Sequence, residues 1–257
     1  ADLGLSMPTV LQRVKELLEE GILIQTGEYE STGGRKAKIL SIAPDISYAV
    51  GMDITRNHIS FVLLDVSGRL VFQKRIRCAF ENDDAYYREL GRSLDTFLER
   101  CRADRDKILG VGISIPGIVD EERCFMSQSH VLRLEEFDLK KLAAYIPYRT
   151  GFRNDANSAA YAELRGAGQN TIYLSLSNTV GGAIYINGRI YNGQHFRSAE
   201  FGHMILVPGG KPCYCGKKGC MDSYCSARVL SRWTNGNLEL FFSGLERGNM
   251  VCRNAGT

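Results

Sequence analysis

Long apolar runs are missing from this sequence. Nothing in it approaches the ~20 consecutive apolar residues that a membrane helix needs, and the opening ADLGLSMPTVLQ has no signal-peptide pattern. A cytoplasmic protein with no membrane partner is therefore expected. Charge of one sign is missing too: 32 Lys and Arg against 29 Asp and Glu leave a net +3, too slight to announce a nucleic-acid partner by itself. Cysteine is sparse along most of the 257 residues, yet four of the eight crowd into residues 203–225, HMILVPGGKPCYCGKKGCMDSYC. In a reducing compartment that crowding points to metal rather than to disulfides. A lead-in and a closing element are also missing, so both ends read as cut and the C-terminal part of the last domain is expected to lie outside the sequence.

Residues 6–20, SMPTVLQRVKELLEE, predict a helix. Ser6 can cap it, Pro8 is tolerated in the first turn, and Gly21 suits a left-handed end. Val10, Leu11, Val14, Leu17 and Leu18 form one apolar stripe, from which Met7, Thr9, Gln12, Arg13 and Glu16 point away. Two strands around a polar tip, Ser31 to Lys36, follow at once. Helix then glycine-tipped hairpin is the order of a winged helix, so residues 1–42 read as a partial winged helix-turn-helix and 43–47 as a linker. From Tyr48 three β-rich runs predict an antiparallel meander. A helix near 83–101, a buried strand in ILGVGISIPG, a helix in NDANSAAYAEL and strands around a glycine turn in NTIYLSLSNTVGGAIYINGRIY complete a mixed α/β domain, 48–257.

Three constellations carry chemistry. His203, Cys213, Cys215 and Cys220 offer three thiolates and an imidazole, a donor set that closes a tetrahedral zinc site. Four protein ligands leave no open position, so such a zinc is structural; Cys225 is left over, and reads as a packed thiol. Asn154 and Asp155, with Glu200 and Asp222, suit the vicinal hydroxyls of a sugar, and an aspartate there could deprotonate a hydroxyl for phosphoryl transfer; an Asn-Asp pair at a helix start is equally an ordinary N-cap. Gly181 and Gly182 could approach a phosphate, although a two-glycine hairpin explains them as well. In the wing tip TGGRK, Arg35 could enter a minor groove, or simply be a solvated charge.

Together these motifs resemble the ROK family of sugar-responsive repressors and sugar kinases. AEFGH followed by CYCGKKGC matches the family's E-x-G-H and C-x-C-G-x-x-G-C, and ISIPGIVD and NDANSAAYAE match two further segments. The resemblance implies a two-lobed actin-like ATPase (ribonuclease H-like) fold. It implies zinc on His203, Cys213, Cys215 and Cys220, and sugar contacts from Asn154, Asp155, Glu200 and His203, with Asp155 on the position of the kinases' catalytic base. Asp222 stands where the family usually has glutamate. The kinases' first phosphate turn, aspartate-glycine-glycine-threonine, is here Thr55, Arg56 and Asn57, whose side chains obstruct the backbone approach that glycine permits. The second turn reads SNTVGGAI and lacks the kinases' earlier glycines. The resemblance thus implies a transcriptional regulator, a homodimer or higher homo-oligomer on operator DNA that senses a monosaccharide, with Asp155 a vestigial base; a zinc-containing ATP-dependent sugar kinase is the alternative. Met7, Thr9, Gln12, Arg13 and Arg35 are the candidate DNA contacts, although residues 1–47 hold five Lys and Arg against seven Asp and Glu.

Overall fold

The computed structural model describes residues 4–29, 37–164 and 170–246. Arg35 and the whole expected wing tip, Ser31 to Lys36, lie outside them. The chain divides into two compact units, Ala1–Ile113 with Lys140–Gly151, and Ser114–Leu139 with Phe152–Thr257.

The first unit opens with α1, Met7–Glu19. The Ser6 hydroxyl accepts the Thr9 N–H at the start. At the end, Ile22 N–H bonds Leu17 O and Gly21 N–H bonds Leu18 O, with Gly21 at φ +72°, a Schellman motif closed by the residue that a left-handed cap favours. Val10, Val14, Leu17 and Leu18 are half-buried as the stripe predicts, but Leu11 is 62% exposed. It lies about 100° round the helix from Val10, at the stripe's edge. Strands β1, Leu23–Glu28, and β2, Lys38–Ile42, pair antiparallel. Residues 43–47 form a turn pinned by Ala43 N–H to Ile22 O and by Lys107 Nζ to Asp45 O.

The expected meander follows: β3, Tyr48–Ile54, β4, His58–Asp65, and β5, Leu70–Arg77, all antiparallel. Alternation along β4 buries Ile59, Phe61 and Leu63 on one face. Helix α2, Asp84–Cys101, capped by the Asp83 carboxylate on Tyr86 N–H, covers that face with Leu90, Leu94, Phe97 and Leu98. Phe61 and Phe97 stack at 5.2 Å. Next comes β6, Ile108–Ile115.

In the second unit β7, Ile118–Asp120, β8, Phe125–Ser129, and β9, Leu134–Asp138, form an antiparallel sheet. The chain then returns to the first unit, where the short α3, Lys140–Ala143, precedes β10, Thr150–Asn154, which completes a five-stranded sheet of order β10-β6-β3-β4-β5. Helix α4, Asp155–Leu164, then leads to a second antiparallel sheet of β11, Thr171–Leu176, β12, Val180–Ile186, and β13, Arg189–Ile190. Helices α5, Asp222–Cys225, α6, Ala227–Ser231, and α7, Leu238–Glu246, end the described chain. Among the described residues no helix is long and apolar enough to cross a membrane.

The glycine pair differs from its hairpin reading. Ser177, Asn178 and Thr179 make the β11–β12 turn, and Gly181 and Gly182 sit inside β12. A Cβ on Gly182 would lie 2.5 Å from the Phe201 ring and 2.6 Å from Tyr173 O, so the pair is small because the neighbouring chain comes close.

Candidate metal centre and ligand cavity

The segment after β13 is built around a tight loop. Cys213 N–H bonds Lys217 O and Gly216 N–H bonds Cys213 O, so Cys213-Tyr214-Cys215 folds back on itself. Leu206 and Val207 both donate to Gly219 O, and Ile205 faces Cys220 across an isolated bridge. Gly219, at φ +84°, has no room for a Cβ: it would lie 1.8 Å from Val207 O.

This loop brings Nδ1 of His203 and the sulfurs of Cys213, Cys215 and Cys220 within 4.8 Å of one another. Cys215 Sγ is 3.7 Å from Cys220 Sγ, and Cys213 Sγ is 3.8 Å from His203 Nδ1. Ligands about 2.3 Å from one central ion would stand about 3.8 Å apart at tetrahedral angles, so these separations fit a bound cation. Burial, and then hydrogen bonding with Cys215 and Cys213, pushes the Cys220 thiol up to about 11. Such crowding resists ionisation, and a cation at the centre would relieve it. The four side chains could hold a metal ion. Cys225, expected to be packed, is exposed: as the last residue of a one-turn helix it faces solvent.

Beside the loop lies a cavity of about 310 Å³, walled by Asn154, Asp155, Glu200 and His203 among others. Asn154 ends β10; its Oδ1 accepts the Asn157 N–H, which makes it the cap of α4, and its Nδ2 donates to Gly117 O. Asn154 is thus the N-cap of α4 and at the same time lines the cavity. Asp155 opens α4 and accepts the N–H of Ala156 at 3.0 Å. Glu200 and His203 flank a 3₁₀ turn whose Gly202 is buried; a Cβ there would stand 2.2 Å from Val180 O, which is why glycine precedes the histidine. With Nδ1 turned to the thiols, His203 Nε2 faces Tyr214 Oη at 3.4 Å and Glu200 Oε2 at 4.0 Å. Burial raises the Glu200 carboxyl above its usual range, opposed by Arg197 and His130 and aided by Asp155. Almost half of that side chain, 48%, stays exposed.

Asp222 is not on the cavity wall. It is buried, its Oδ2 accepts the Val180 N–H at 2.7 Å, and its Oδ1 lies 3.7 Å from Arg228. His130, Arg197, Tyr214 and Lys217 do line the cavity, and sequence reasoning passed over them. For Tyr214 a signal existed, since it stands between two candidate ligands; His130, in a loop without a motif, gave none.

The two turns compared with kinase phosphate loops each carry internal bonds. Thr55 N–H and Thr55 Oγ1 donate to His58 O, and Thr55 Oγ1 accepts the His58 N–H. In the second turn Ser177 N–H bonds Thr179 O, and Val180 N–H, at the start of β12, is held by Asp222. On α1, Met7, Thr9, Gln12 and Arg13 are exposed, and Arg13 and Gln12 both donate to the Glu16 carboxylate, at 2.7 and 3.1 Å.

The ROK family model matches residues 49–246. The chain belongs to the ROK family. It is 29% identical over 234 residues to the xylose repressor of Bacillus spizizenii, covering 88% of this chain and 60% of the relative. The glucokinase of Halalkalibacterium halodurans is 30% identical over 190 residues, covering 71% of this chain and 58% of the relative. Among solved structures, a ROK family transcriptional regulator homologous to the E. coli MLC protein superposes with a TM-score of 0.72 at 19% identity, over 98% of this chain and 69% of that one. That likeness gives the chain its fold, the actin-like α/β arrangement expected from the sequence. The chain spans about 60% of the length of the repressor it matches.

Proposed function

We propose that the chain is part of a ROK-type transcriptional regulator, in which a winged helix built on α1 reads operator DNA and the cavity beside the metal loop binds a monosaccharide. The observation that carries this reading is the reach of the matches: the repressor aligns over 88% of the chain and the glucokinase over 71%. The Thr55–Asn57 turn supports it: side chains stand where glycine would let a nucleotide phosphate approach the backbone, and its Thr55 N–H is already bonded to His58 O. Zinc is the natural ion for His203, Cys213, Cys215 and Cys220, and a closed four-ligand set makes it structural. A cavity of about 310 Å³ suits one sugar ring. There Asn154, Asp155, Glu200 and His203 would take neighbouring hydroxyls. Asp222 would act from behind, by fixing Val180 and Arg228. Two-fold operators make a homodimer the natural form.

Kinase activity is the second reading, favoured by the glucokinase relative and by Asp155 at the cavity wall. One preparation given ATP and a panel of aldoses, D-xylose and D-glucose among them, separates the two. The regulator reading expects binding heat without phosphorylated product. Turnover on the order of 1–100 s⁻¹ would make the protein a kinase.

On the DNA side, Arg13→Ala and Arg35→Ala are each expected to weaken binding to DNA from the protein's own upstream region. Each should also flatten the plot of log affinity against log salt by roughly one unit, through one fewer counterion released. Salt titrations by fluorescence anisotropy read this directly, and an unchanged slope would remove that arginine from the interface.

A further inference from the structure

Tyr214 stands between Cys213 and Cys215, so its backbone is held on both sides by residues that converge on the metal centre. Its ring meets those of His203 at 5.3 Å and His130 at 5.6 Å, both edge-on. The Arg228 guanidinium lies 5.5 Å from the ring centre, and Arg228 Nε donates to Asn178 O at 3.1 Å. The side chain is therefore braced from two sides while its hydroxyl reaches the cavity, 3.4 Å from His203 Nε2. That separation is long for a direct hydrogen bond, and both residues line the cavity, where one ligand oxygen can come within about 2.8 Å of each.

We propose that Tyr214 is a ligand-reading residue, its hydroxyl and Nε2 of His203 together gripping one hydroxyl group of the sugar. With Nδ1 turned to the thiols, His203 Nε2 carries the hydrogen and donates to the sugar oxygen. The sugar hydroxyl donates its own O–H to Tyr214 Oη as a hydrogen bond, so one group both accepts and donates. The middle position of Cys-x-Cys thereby becomes a specificity determinant. A sugar that lacks this hydroxyl, or carries it in the other configuration, leaves the N–H of His203 and the phenol without their common partner. The inference rests on the cavity being the sugar site.

The test is a cycle of Tyr214→Phe against the monodeoxy derivatives of whichever aldose, D-xylose or D-glucose, binds the wild type more tightly. Phenylalanine keeps the ring, so the contacts to Arg228 and His130 survive, and zinc content and melting temperature should match the wild type. Calorimetry is expected to show the parent sugar bound roughly 5- to 20-fold more weakly by the variant, as for one lost hydrogen bond that leaves a partner unpaired. One deoxy derivative should bind both proteins within about twofold, the mark of a contact specific to that hydroxyl. Equal affinity of both proteins for the parent sugar, or the same loss with every derivative, overturns the proposal and leaves the sugar site standing. If neither aldose binds the wild type, the sugar reading falls and this one with it.

Discussion

Cys220→Ala is expected to empty the metal centre. Wild-type protein should carry about one zinc per chain, and the variant far less, because three remaining ligands hold a structural ion poorly. Such an ion would anchor the loop through its whole length, since Ile205 faces Cys220, Leu206 and Val207 hang on Gly219, and His203 turns Nδ1 inward. Removing a buried thiol alone costs about 1 kcal/mol, whereas losing a structural metal costs several. A loss on the order of 3–5 kcal/mol would lower the melting temperature of a chain of this size by roughly 6–20 °C. Cys225→Ala, at an exposed position, is the control and should leave both readings unchanged. Elemental analysis with thermal melts checks the pair, and a zinc-free wild type that folds normally would remove the metal from the account.

The second large effect is expected at the cavity wall. Glu200→Ala should weaken sugar binding by roughly 10- to 150-fold, the range for one hydrogen bond to a charged group. Asp155→Ala should do the same. The two losses should not add, since both carboxylates address one small ligand and each already feels the other's charge. Asp155→Asn separates binding from catalysis: it keeps an acceptor for a hydroxyl but cannot serve as a base, so a regulator would lose little and a kinase nearly all turnover. Sugar titrations of the three variants check this. Affinities unchanged in both alanine variants would put the ligand elsewhere.

The parts legible in the sequence were those where one local rule acts alone. Ser6 and Gly21 bracket α1 because a cap and a left-handed end each need a particular residue, and the β4 alternation followed from burial on one face. The metal cluster was legible because few other causes crowd three thiols and an imidazole into so short a loop. What stayed hidden depends on distant chain. Gly181 and Gly182 look like a turn until Phe201 and Ala156 are seen against them. Asp222 looks like a sugar contact until Val180 N–H, 42 positions away, is found on its carboxylate. Tyr214 and His130 reach the cavity only through the fold of two separate loops, which no spacing encodes.

The central claim, that this chain couples a sugar to DNA, is tested most directly by anisotropy titration of the protein onto DNA from its own upstream region, with and without a saturating aldose identified by calorimetry. The account predicts tighter binding to that DNA than to random sequence, and an affinity that shifts when sugar is added, by as much as the sugar's affinities for the free and DNA-bound protein differ. Equal affinity for both DNAs, unmoved by a sugar that does bind, would contradict it.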